Sequence, residues 1–137
     1  MVPFSLSVAA ARYMKDRKRG KILNIGSNSG MTGVANNSLY CKSKAVLHAI
    51  TMSFAVELGP YGIRANALAP GTTLSEGTAK RIEENHGRAK AILDSTPLRR
   101  FATPDEIAAW AAFIVSEEAD FANGTVFVVD GGKLAGR

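Results

Sequence analysis

Three short apolar runs, each closed by glycine and separated by long segments with helical spacing, leave few folds open to this chain. They are KILNIGS (Lys21–Ser27), IRANALAPG (Ile63–Gly71) and GTVFVVDGG (Gly124–Gly132). Strands separated by helices cannot be joined by tight hairpins, so the alternation predicts an α/β fold, a parallel sheet covered on both faces. Phe4, Val8, Ala11 and Met14 recur at helical spacing from about Pro3 to Arg17, and Gly20 closes that segment. After the first strand, Leu39, Ser43, Val46, Leu47, Ile50, Phe54 and Leu58 keep one helix face apolar from near Ser38 until Gly59-Pro60 stops it. Residues 72–100 turn polar and read as a surface insertion, with Ala79, Ile82, Ala89 and Leu93 marking one amphipathic helix inside it. TPDEI then supplies Thr103 as N-cap, Pro104 at the first helical position and Glu106 at the third. This capping box opens a helix to about Ser116. The predicted order is α, β, α, β, α, α, β.

With 137 residues and 46% hydrophobic composition, the chain is long enough for one compact core, and residues 1–137 read as a single domain. The formal charge of +5 is partly concentrated in KDRKRGK, Lys15 to Lys21. That run reads either as a solvated helix-to-strand turn or as a contact for nucleic acid. The turn is favoured, because no aromatic residues interleave with the charges for stacking. One cysteine, Cys41, permits no internal disulfide and no cysteine zinc cluster, which fits a reducing, cytoplasmic setting. No apolar run approaches the roughly 18 residues of a membrane span. His48 and His86 have no ligand-spaced carboxylates or cysteines, so no metal site is expected.

The stretch NIGSNSGMTG, Asn24 to Gly33, places three glycines between a strand and a helix and so imitates a phosphate-binding loop. A dinucleotide loop needs the helix to start at the turn and an acidic residue about 20 positions on. Here the helix takes hold only near Ser38, and the region around Val46 is apolar. Gly26, Gly30 and Gly33 are therefore expected to supply a turn that does not cradle phosphate.

The same loop carries Ser27, with Tyr40 thirteen residues on and Lys44 one helical turn beyond. Tyr40 and Lys44, at i and i+4, share a helix face. A neighbouring ammonium favours a phenolate, which would make Tyr40 usable as an acid or base, with the Ser27 hydroxyl bonding a substrate oxygen. Alone, a Tyr four residues before a Lys also reads as an ordinary helix-surface pair.

NIGS at a strand end, YCKSK thirteen residues after the serine, NALAPG ending the next strand and GTVFVVDGG at the C-terminus resemble, in order and spacing, the second half of the short-chain dehydrogenase/reductase family. The resemblance covers essentially the whole chain. It implies a partial Rossmann-like, doubly wound parallel sheet holding the last three strands and their flanking helices. It further implies a cytoplasmic oxidoreductase that moves hydride between NAD or NADP and a small-molecule carbonyl or secondary alcohol. By that resemblance Ser27 orients the substrate oxygen, Tyr40 is the general acid/base, and Lys44 binds the nicotinamide ribose. Pro70 and Gly71 match the turn against the nicotinamide ring, while Thr73 and Ser75 match contacts to its carboxamide. Residues 72–100 match the variable loop over the substrate, and their composition does not name that substrate.

The family's opening strand, its TGxxxGxG loop, its NAD/NADP selector and its NNAG segment have no match here, and its catalytic asparagine would fall about two residues before Met1. The expectation is thus a truncated oxidoreductase. The alternatives are a non-catalytic oligomeric or interaction module, or one piece of a split enzyme. The first strand would show an apolar edge that invites another chain, and the opening helix and the helix after Tyr40 match the family's dimer interface. A homo-oligomer or a complementary N-terminal polypeptide is the expected partner.

Overall fold

The computed structural model describes residues 2–136. Helix α1 (Val2–Asp16) leads into strand β1 (Gly20–Ile25), and a 3-10 turn at Asn28–Gly30 precedes the long helix α2 (Ser38–Leu58). Strand β2 (Ile63–Pro70) is followed by helices α3 (Glu76–Glu83), α4 (His86–Asp94) and α5 (Pro104–Val115), then by strand β3 (Val126–Val129). The strands form a parallel sheet in the order β1-β2-β3, with Gly20 opposite Ile63 and Ala67 opposite Val126. A doubly wound partial Rossmann-like sheet is therefore present.

The central strand explains how so small a sheet is closed. Ile63, Ala65, Ala67, Leu68 and Ala69 are all buried, as expected for a parallel strand covered on both faces. Ile63 and Ala65 pack with Ala11 of α1 and with Phe54, Ala55 and Leu58 of α2. The alanines leave room for α2 to lie close to the strand. Arg64, one residue out of phase, points to the other face, where its guanidinium donates to the carbonyls of Ile114 and Ser116 at the end of α5 and of Ala122 in the segment that follows. A cation there also suits the negative end of the helix dipole. Trp110 of α5 meets Phe127 of β3 with ring centroids 6.4 Å apart.

Polar side chains complete backbone ladders that short strands leave open. Asn123 accepts from the Ala65 N–H and donates to the Ala55 carbonyl, tying β2 to α2 below the point where β3 begins to pair. Buried Asn66 donates to the Ala122 carbonyl and accepts from Thr125 N–H. The capping box at α5 forms in full: Thr103 Oγ1 accepts from Glu106 N–H and the Glu106 carboxylate accepts from Thr103 N–H. The hydrogen bonds from Arg100, and then that from Thr103, hold the Glu106 carboxyl down at about 2.

Three expectations need correction. The polar insertion holds two helices instead of one, because Asn85 accepts from Arg88 N–H and starts α4 afresh. Gly20 does not end α1 but already lies in β1, where a Cβ would strike the Met14 side chain; the helix ends at Asp16, before Lys18 at φ 49°. The buried face of α2 is Leu47, His48, Thr51, Phe54, Ala55 and Leu58, whereas Leu39 and Val46 face outward. The sheet selects one of two apolar stripes on that helix, and sequence spacing had merged them.

Candidate active site

The C-terminal ends of β1 and β2 open into one cleft of ≈ 580 Å³. Ser27, Tyr40, Lys44, Pro70, Gly71, Thr73 and Ser75 all line it, so the structure brings together every residue singled out in the sequence. Ser27 follows β1 in an extended conformation and caps the 3-10 turn, its Oγ accepting from Ser29 N–H at 3.2 Å. That bond occupies one lone pair and leaves the hydroxyl hydrogen available to donate. Tyr40 and Lys44 project from the first turns of α2. Lys44 Nζ donates to the Ile25 carbonyl at 2.9 Å and lies 5.6 Å from the Tyr40 ring centroid. Thr73 pairs with Ala102 in a one-residue bridge, and Ser75 stands at the N-cap of α3 with its Oγ 3.2 Å from Thr78 Oγ1.

The glycines of the opening loop have a different purpose from the expected turn. None of Gly26, Gly30 and Gly33 has a positive φ. A Cβ at Gly26 would fall on the His48 imidazole, and one at Gly30 would meet the backbone of Lys44 at 2.8 Å and of Ala45 at 2.9 Å. These two glycines let α2 seat directly on the loop that carries Ser27. Gly33 meets nothing.

Sequence reasoning treated His48 as uninformative, yet it is 5% exposed beneath this loop and its Nε2 has no hydrogen-bond partner. Burial pushes the imidazole below its ordinary value, and the Lys44 ammonium pushes it the same way. Asn28 and Asp130 were missed. The Asp130 carboxylate accepts from the N–H groups of Gly132, Lys133 and Leu134 and from Asn28 Nδ2 at 3.2 Å, clasping the Ser27 turn to the end of β3. The available signal was the DGG triplet, an aspartate followed by two glycines that both take positive φ.

The family model described as enoyl-(acyl carrier protein) reductase matches residues 2–133. The chain is 38% identical over 136 residues to an uncharacterized oxidoreductase of Thermotoga maritima, covering 97% of this chain and 54% of that one. It is 40% identical over 132 residues to a probable 2,4-dienoyl-CoA reductase of Bacillus subtilis, covering 95% and 52%. A gluconate 5-dehydrogenase from Burkholderia cenocepacia, solved in complex with NADP and tartrate, superposes with a TM-score of 0.92 at 31% identity, covering 97% of this chain and 52% of that one. The chain belongs to the short-chain dehydrogenase/reductase family, and it spans about half the length of the relatives it matches. Among the described residues no helix is long and apolar enough to cross a membrane.

Two outcomes follow from the seating of α2. Gly26→Ala must push the Ser27 loop off His48, at a cost of about 1–3 kcal/mol as for other overpacked sites, measurable by urea unfolding. For His48, burial and then the Lys44 ammonium lower the folded-state pKa below the ordinary 6.5 that the unfolded chain keeps. Its contribution is fully present above about that pH and is lost as pH falls below it. The melting temperature should therefore fall on acidification from pH 7.5 to 5.5, and His48→Leu should flatten that part of the profile; an unchanged slope would rule His48 out as its source.

Proposed function

We propose that this chain carries the substrate and nicotinamide half of an NAD- or NADP-dependent oxidoreductase that interconverts a carbonyl and a secondary alcohol. The observation that carries this reading is the convergence of Ser27, Tyr40 and Lys44 with Pro70, Gly71, Thr73 and Ser75 on one cleft. Lys44 supports it further. Only one of its three N–H groups is used, on Ile25, which leaves two for the hydroxyls of a nicotinamide ribose. The cofactor supplies or accepts the hydride when bound.

In the reduction direction, Ser27 Oγ–H donates a hydrogen bond to the substrate carbonyl oxygen, and Tyr40 gives its phenolic proton to the same oxygen as the alcohol forms. The Lys44 ammonium then stabilises the phenolate left on Tyr40. Because Tyr40 is 43% exposed, water can return the proton directly. In oxidation the same proton moves the other way. Pro70 and Gly71 line the cleft at the end of β2, and with Thr73 and Ser75 they would hold a nicotinamide ring and its carboxamide. Residues 72–100, which carry α3 and α4, act as the substrate loop.

The cleft residues suit the nicotinamide end of a dinucleotide, and none of them is a glycine-rich helix start for its pyrophosphate. Among the described residues strand β1 pairs only with β2, so its outer edge can accept one more parallel strand. We infer that a further segment or a separate polypeptide docks there and supplies the adenosine half. Adding that half should produce one compact species with turnover. Tyr40→Phe should then lower turnover about 10²–10⁴-fold at unchanged stability; full activity in that variant would refute the assignment.

A specific observation also favours self-association. Val2, Leu6 and Tyr13 on α1 are exposed at one helical face, as are Leu39, Val46 and Val56 on α2. Such paired stripes fit a helical interface with a second copy, in a catalytic homo-oligomer or in a module that only assembles. Light scattering should show a dimer or larger, and Leu39→Glu with Val56→Glu should shift it toward monomer. A monomeric parent chain would remove this reading.

A further inference from the structure

We propose that the cleft takes a substrate with an anionic carboxylate remote from its reacting carbon, recognised by Arg81 and Arg88. The inference rests on the oxidoreductase reading for its reacting end. It is carried by an imbalance of charge. The cleft is lined by three cations, Lys44, Arg81 and Arg88, and by no aspartate or glutamate.

That imbalance is local. Three nearby basic residues outside the cleft lining find acids: Lys90 and Arg99 pair with Asp94, and Arg100 pairs with Glu106. Arg81 spends only its Nε, on the Gly77 carbonyl at 3.0 Å, which steadies the stem and leaves the terminal nitrogens uncommitted. Among the described residues no carboxylate lies within ion-pair distance of Arg81 or Arg88. The Asn85 carboxamide oxygen accepts from the backbone of Arg88 and so holds the residue at the first turn of α4.

A guanidinium matches a carboxylate in a planar two-bond fork, and two uncompensated guanidinia on a cleft wall also draw anions toward it. The lining also includes Ile82, Ala89 and Ile92, apolar surface that suits a short carbon chain. A small hydroxy or keto acid satisfies both ends at once, with its alcohol or carbonyl at Tyr40 and its carboxylate on the arginine wall. The phosphate of a nucleotide cofactor offers the same chemistry, so the test separates the two sources.

The whole chain, free of cofactor, is titrated with L-malate, with its uncharged diamide and with nicotinamide mononucleotide while amide and arginine Nε–H resonances are followed. Malate should shift Arg81, Arg88 and the Ser27 turn saturably, and the diamide should bind at least about tenfold more weakly. Arg81→Gln and Arg88→Gln should each weaken malate by about tenfold, Arg88→Lys should restore part of the loss, and Lys18→Gln should change nothing. The proposal is overturned by absence of a saturable malate shift, by equal binding of the diamide, or by malate shifts centred on Lys15–Lys21. It is also overturned if the arginine substitutions weaken the mononucleotide and spare malate, which would assign the wall to cofactor phosphate. No turnover is read, so arginine-dependent malate binding can stand even where Tyr40→Phe leaves activity intact, and the oxidoreductase reading can stand where malate fails.

Discussion

The seating of α2 on the loop after β1 sets the geometry on which the candidate site depends. Tyr40 and Lys44 belong to a helix, Ser27 to a strand end, and only backbone-close contact fixes one against the other. Gly26 and Gly30 provide it, because a side chain at either position would meet His48 or the α2 backbone. Lys44 reinforces the arrangement from above by donating to the Ile25 carbonyl, so the residue proposed to hold the ribose also ties α2 to β1. Below, Asn24 donates to buried Thr51, whose hydroxyl in turn donates to the Leu47 carbonyl. β1 is thus tied to α2 at two successive residues just before the loop, and Ser27 needs no contact with Tyr40 itself to be positioned. His48 is the cost of this closeness: a ring nitrogen without a partner, tolerated because the neutral form of the imidazole is cheaper to bury than the charged one.

A three-stranded sheet would ordinarily leave many backbone groups open. Here Asn66, Arg64 and Asn123 act as substitutes for strand or helix partners around residues 114–125. Asp130 does the same at the opposite end, gathering three backbone N–H groups and Asn28. The end of β3 is in this way mechanically joined to the Ser27 turn, although 102 residues separate Asn28 from Asp130.

Much of this architecture was legible in the sequence because its signals are local. Apolar runs ended by glycine mark strands, and a Thr-Pro-Asp-Glu start marks α5 whatever its surroundings. What misled were features whose meaning depends on a neighbour distant in sequence. The stripes of α2 both look apolar, and only the sheet decides that Thr51 and His48 go inward while Leu39 goes out. The loop glycines look like turn formers until α2 is seen against them. Asn85 is a strong cap, but the apolar spacing of Ala79, Ile82, Ala89 and Leu93 continues through it, so periodicity alone favoured one helix. The residues of the candidate site were named through the family resemblance; Asn28, Arg81 and Arg88 have no such motif and became visible only in the cleft, while the DGG triplet marks a turn at Asp130 without showing its bond to Asn28.

The division of a dinucleotide site between two halves is physically reasonable for this fold. In a parallel sheet each strand delivers its functional residues to the same end, so a site is assembled strand by strand and can be cut between strands without disturbing either remainder. β1 ends at Ile25 and leads into Gly26 and Ser27, and β2 ends at Pro70 and leads into Gly71; both ends are held by contacts made within this chain. The groups proposed to act on substrate therefore keep their geometry without a partner, whereas affinity for a whole dinucleotide would need pyrophosphate- and adenosine-binding groups beyond this cleft. Under the proposed function, this chain alone would be organised for chemistry and deficient in cofactor capture, and strand addition at β1 would correct the deficiency without rearranging Ser27, Tyr40 or Lys44.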